Sequence, residues 1–174
     1  MHIAAHFNSV SPYLADPKLT DTFSKLVLLS RLPLKGIEHN FAVDSSGFST
    51  CRFVRWFNKK YGRDMDNREW VKVHLMCGVE TKIVTSVEVS GWTANDTPYF
   101  VLLLERTAKY FQMQEMSADK AYLNHKHLQA VAQAHATPFI PFKANTVVPK
   151  KNTIWSEMYH YCMGKSGRVL SALT

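Results

Sequence analysis

The chain has 174 residues, 46% hydrophobic and 20% charged, which suits one globular domain with a sizeable core and excludes a wholly disordered protein. Lys and Arg outnumber Asp and Glu by 21 to 14, and the net charge of +7 favours polyanionic partners, nucleic acid first. Three scattered cysteines, Cys51, Cys77 and Cys162, form no Cys-x-x-Cys and argue against a disulfide framework. The start, MHIAAHFNSV, has no basic region followed by an apolar core, and no apolar run reaches the length of a membrane span, so the expectation is a cytoplasmic protein without a membrane partner.

In chain order, TDTFSKLVLLSRL (20–32) predicts a helix that Thr20 or Asp21 can cap. Phe23, Leu26, Val27 and Leu29 would be its apolar face and Pro33 its stop. Residues 1–36 then form an N-terminal helical segment ahead of the main domain. From His39 the period changes to two, with a strand over 39–45 that Ser45-Ser46-Gly47 should break, and TCRFVRWF (50–57) returning as its antiparallel neighbour. NKKYGRDMDNRE (58–69) reads as an exposed turn. WVKVHLMC alternates with Val71, Val73, Leu75 and Cys77 on one side, and after Gly78 VETKIVTSVEV alternates again, which predicts an antiparallel hairpin.

The period then becomes 3.6. Asn95 or Asp96 caps a helix that tolerates Pro98 in its first turn, with Phe100, Val101, Leu103, Leu104, Ala108 and Phe111 as the buried stripe. A short strand over 113–118 ends at Asp119. A helix capped by Asn124 follows, with Leu128, Val131, Ala132 and His135 on one face, and then a short strand in TPFIPFK (137–143), where two prolines suggest a sheet edge. NTIWSEMYHY (152–161) is a final helix. Strands followed by alternating helices and strands imply an α/β mixed sheet covered by helices.

Two acids stand out. Asp44 directly follows the apolar run Phe41-Ala42-Val43, and Asp119 directly follows the strand at 113–118. A carboxylate at the end of a core strand is costly unless paired, metal-bound or facing a cleft. If the two strands are neighbours, Asp44 and Asp119 can converge on a hard divalent cation, Mg²⁺ or Mn²⁺. Two such cations about 3.5–4 Å apart suit phosphodiester chemistry. The plainer alternative is that Asp44 starts a turn and Asp119 caps a helix.

Taken together, FAVDSSGFST, WVKVHLMCGVETKIVT, NDTPYF, MSADKAYL and FIPFKANT, in this order, resemble the catalytic domain of bacterial and archaeal DDE-type insertion-sequence transposases. The resemblance implies a ribonuclease-H-like fold, a mixed sheet with helices on both faces, over 37–161. It also implies an enzyme that cuts and rejoins DNA ends with two divalent metals, working on element ends and target DNA as a homodimer or beside a full-length transposase. Asp44 matches the first acid of the family pattern and Asp119 the second. The third is a Glu within Tyr-x2-Arg-x3-Glu-x6-Lys, a pattern this chain lacks. Residues 162–174 do not resemble the family, and the simplest expectation is a truncated or frameshifted copy without its catalytic helix. Glu157 is the only acid after Asp119 and the only candidate substitute, against a reading as a solvated helix carboxylate. The alternative function is an inactive remnant that binds DNA or a transposase.

The basic residues Arg52, Arg55, Lys59, Lys60 and Arg63, interleaved with aromatics, could track a DNA backbone or simply keep an edge strand soluble. Lys120 and Lys143 are candidate phosphate contacts near the two acids. Asp96 reads as a helix cap, His74 as a packed or edge side chain, and Cys77 as a small buried hydrophobe. Trp155 reads as a packing anchor or, near the cleft, a stacking surface for a base.

Overall fold

The computed structural model describes residues 16–49, 70–147, 149 and 153–171. In chain order these form α1 (Leu19–Arg31), a 3-10 turn (Leu32–Leu34), β1 (Asn40–Ser49), β2 (Trp70–Gly78) and β3 (Val84–Gly91). There follow α2 (Thr97–Ala108), β4 (Glu115–Ala118), a 3-10 turn (Lys120–Tyr122), α3 (His125–Gln133), β5 (Thr137–Phe139) and α4 (Ile154–Ser171). Among the described residues, no helix is long and apolar enough to cross a membrane.

The five strands make one sheet in the order β3-β2-β1-β4-β5. β1 and β2 are antiparallel, as are β2 and β3, whereas β4 lies parallel to β1 and β5 parallel to β4. The mixed sense follows from the connections. The hairpin β2–β3 reverses the chain tightly, while β4–α3–β5 is a crossover that returns it in the same direction. The result is an α/β mixed sheet with three antiparallel strands on one side and two parallel additions on the other.

Strand alternation divides the sheet into two faces. On one, Phe41, Val43, Met76 and Met116 are buried against Phe100, Leu103 and Leu104 of α2 and Leu128 and Val131 of α3. Phe111, just past α2, meets Phe41 edge-on with ring centroids 5.4 Å apart. On the opposite face Val73, Leu75 and Cys77 stay half-buried, and Phe139, which alternates with buried Pro138, meets Tyr161 of α4 at 5.4 Å. The hairpin's apolar alternation is therefore real, but the deeper set on β2 is His74, Met76 and Gly78.

Several expectations are corrected. Ser45-Ser46-Gly47 does not break β1, which runs to Ser49, because β2 continues to pair with it through Phe48 and Ser49. The antiparallel neighbour of β1 is β2; the expected return strand 50–57 and turn 58–69 lie outside the described residues. α1 forms without a side-chain cap. Of its predicted apolar face Phe23, Leu26 and Leu29 turn outward, while Val27 turns inward as expected, beside Leu28 and Arg31. Arg31 is held by the Tyr110 ring, 4.7 Å from its guanidinium carbon. Asn124 does cap α3, accepting from the His127 N–H at 2.7 Å. His135 is not on the buried face but ends the helix region at φ 59°. β5 is confined to Thr137–Phe139, and α4 runs on to Ser171, past the expected bound at Tyr161.

Candidate active site

β1 and β4 pair in parallel through Asn40–Glu115, Phe41–Met116, Ala42–Ser117 and Val43–Ala118. The next residues on the two strands are Asp44 and Asp119. Alternation puts both on the face opposite Phe41 and Met116, and both are exposed. Asp44 is not at the end of its strand, as expected, but in the middle of it: β1 continues against β2, with Asp44 opposite Leu75, while its pairing with β4 stops at Val43. β1 therefore runs on past the point where β4 ends at Ala118.

Each carboxylate is held by the backbone that follows it. The Ser45 N–H donates to Asp44 Oδ1 at 2.7 Å and the Lys120 N–H donates to Asp119 Oδ1 at 2.6 Å. The latter bond caps the 3-10 turn Lys120–Tyr122, so Asp119 both terminates β4 and shapes the turn after it. Two exposed carboxylates on one sheet face, each with one oxygen fixed by an amide, are a hard-oxygen donor set. That set fits a partly hydrated Mg²⁺ or Mn²⁺.

Beneath this pair, on the helical side of the sheet, lies a polar cluster the sequence reading did not assemble. Asp96, at the start of α2, makes no capping hydrogen bond. Its carboxylate instead pairs with Lys72 Nζ at 2.6 Å and faces His74 Nδ1 at 3.3 Å. Burial pushes the Asp96 carboxyl up, but Lys72, Ser45 and His74 outweigh it and hold the group below its ordinary range. His74 is fully buried, stacked on Tyr99 at 4.1 Å, with Nε2 2.9 Å from Ser90 Oγ. Burial is the main reason its pKa lies below that of a free imidazole.

Tyr122, three residues after Asp119, closes the cluster. It is 2% exposed, and its hydroxyl is buried without a hydrogen bond of full geometry. Its pKa is pushed up to about 12, first by burial and next by Asp96, with Asp44 and Asp119 adding in the same direction and Ser45 opposing them. One phenol therefore senses all three aspartates. Its backbone carbonyl meets His127 Nδ1 at 2.7 Å, and His127 stacks on Phe100 at 4.2 Å. Lys72 and His74 alternate onto the same face of β2, and this spacing was the available signal for a shared acidic partner.

The remaining predicted site residues are not gathered here. Lys120 follows Asp119 directly and is exposed, and Lys143 is exposed beyond β5. Glu157 is exposed in the first turn of α4. Among the described residues no three His, Cys, Asp or Glu side chains come close enough to share a metal ion, so Glu157 completes no triad in this structure. Trp155 stacks on His125 at 4.0 Å and abuts Phe142, which makes it a packing anchor. Cys77 is half-buried, and burial raises its thiol pKa. Arg52, Arg55, Lys59, Lys60 and Arg63 lie outside the described residues.

The fold is thus a mixed five-stranded sheet that carries two acids at neighbouring positions on its central parallel pair. Residues 38–170 match the family model for the transposase DDE domain, and the chain belongs to that family. No curated protein matches it. Among solved structures, the cryo-EM structure of a piggyBac transposase synaptic complex with hairpin DNA is similar at a TM-score of 0.36 and 14% sequence identity. That likeness covers 62% of this chain and 23% of the other, so the chain spans under a quarter of its neighbour's length.

Proposed function

We propose that this transposase DDE domain acts on DNA phosphodiesters, with Asp44 and Asp119 holding a divalent cation. Support for this reading comes from one observation, the Val43–Ala118 pair, after which the two strands each continue with an aspartate. When bound, Mg²⁺ or Mn²⁺ would neutralise charge at the phosphodiester and make a water or 3′-hydroxyl a better nucleophile. The chain's own part is to present two carboxylates already oriented by the Ser45 and Lys120 amides. Lys120 and Lys143, and the basic set Arg52, Arg55, Lys59 and Lys60, would neutralise DNA phosphates. Strand transfer on element ends and target, as a homodimer or beside a full-length transposase, belongs to the same proposal.

The resemblance implies three acids, and Asp44 and Asp119 match two of them. This favours a second reading, a domain that grips DNA or a transposase without cutting, because no third acid joins Asp44 and Asp119 among the described residues. Mn²⁺-dependent nicking of supercoiled plasmid separates the two. Nicking that disappears in both Asp44→Ala and Asp119→Ala supports the first. DNA retention without nicking supports the second, and nicking that survives both substitutions removes the metal assignment.

A further inference from the structure

The cluster around Asp96 is larger than a helix cap needs. Ser45, next to Asp44, lies directly opposite His74 in the β1–β2 register. His74 faces Asp96 at 3.3 Å, and Lys72 grips the same carboxylate oxygen at 2.6 Å while also donating to the Ala94 carbonyl at 3.3 Å. From the other side, Tyr122 reaches the cluster from the turn that Asp119 caps, its ring 5.6 Å from Phe100, one helical turn past Asp96. The Tyr122 hydroxyl is buried there and lacks a full hydrogen bond. A buried hydroxyl left in this state costs about 1–3 kcal/mol and calls for a physical explanation.

We propose that Asp96 and Tyr122 are positioning residues for Asp44 and Asp119, forming with Lys72, His74 and Ser45 one polar junction that ties β1 just past Asp44 to the turn just past Asp119. The two carboxylates sit one residue past the last strand pair, Val43–Ala118, with no ladder pairing beyond them to hold their backbones together. The junction supplies that constraint from below the sheet. Its anchor is α2, whose Phe100, Leu103 and Leu104 are fully packed in the core. Supporting contacts of this kind hold ligating side chains in register, and their loss typically costs 10–100-fold in metal affinity.

The inference rests on the site assignment above, and its test is chosen so that the two fail separately. In the full chain, Asp96→Asn and Tyr122→Phe keep the shape of each side chain while removing the charge or the hydroxyl. Amide NMR signals of Ser45 and Lys120, which report the bonds to Asp44 and Asp119, are expected to shift and exchange faster in both variants, with the Thr81 amide as an unmoved control. Mn²⁺ titration, followed by its electron paramagnetic resonance, is expected to weaken about tenfold or more in both. If the unsubstituted chain binds no Mn²⁺, the metal assignment falls and the amide signals alone decide the junction. Unmoved Ser45 and Lys120 signals overturn the inference, as does unchanged Mn²⁺ affinity where the parent chain binds the ion.

Discussion

Glu38 and Thr81 are bound twice over. The Glu38 carboxylate, fully buried, accepts the Thr81 N–H and the Thr81 hydroxyl through the same oxygen, each at 2.8 Å. It also accepts the Glu80 and Asn40 N–H groups at 3.2 Å. One carboxylate thereby organises the β2–β3 turn around the start of β1, the strand that carries Asp44.

Burial alone would raise the Glu38 pKa, but the bonds from Thr81, Asn40 and Glu80 outweigh it and hold the carboxyl below its ordinary range. Its stabilising contribution is therefore complete above the unfolded value, about 4.3, and is lost as the pH falls through the depressed folded value. Urea unfolding of the parent should lose stability in acid more steeply than that of Glu38→Gln. At neutral pH, Glu38→Ala should cost about 2–4 kcal/mol, since it strands several buried donors.

Gly78 admits the same carboxylate, because a Cβ placed on it would overlap Glu38 Oε2 and its carbon. Gly78→Ala should therefore destabilise by about 1–3 kcal/mol as an overpacked site. In the double variant with Glu38→Ala the penalty should shrink, giving a coupling of about 1 kcal/mol or more. Strict additivity in equilibrium unfolding would show that the close approach is unimportant.

A buried hydroxyl chain joins β3 to α2. Thr85 Oγ1 donates to the Met76 carbonyl at 3.0 Å and lies 2.9 Å from Thr107 Oγ1, while Ser86 Oγ donates to the Leu103 carbonyl at 2.9 Å. Thr107→Val keeps both donations to carbonyls and should cost about 1 kcal/mol. Thr85→Val removes a donor from a carbonyl beside the Met76/Cys77 bulge and should cost more, about 1–3 kcal/mol, in the same assay.

Divalent cations should raise the melting temperature if Asp44 and Asp119 bind them only in the folded chain. At a free concentration 100-fold above the dissociation constant the stabilisation is about 2.7 kcal/mol. Calorimetry with and without Mn²⁺ should show the shift in the parent and none in Asp44→Ala or Asp119→Ala.

Much of the fold could be read from periodicity. Phe100, Leu103 and Leu104 repeat at helical spacing and are the buried stripe of α2, and the β2–β3 alternation is a genuine hairpin. The neighbouring positions of Asp44 and Asp119 required strand order, which local pattern does not encode; the family motifs supplied it. Asp96 was misread as a cap because an acid before a helix usually is one. Its partners Lys72 and His74 lie on β2, two elements earlier in the chain, and no spacing rule links residues 72 and 96. Tyr122 likewise carries no local signal, since its burial comes from the turn that Asp119 caps. α1 has an amphipathic pattern, yet three of its apolar side chains, Phe23, Leu26 and Leu29, face outward.

β5 has one further effect. It is three residues long, with Pro138 at its centre, and it forms one margin of the sheet. A proline offers no N–H to an incoming strand, and so short a border presents almost no ladder to extend. Among the described residues, that side of the sheet therefore offers little for edge-to-edge extension.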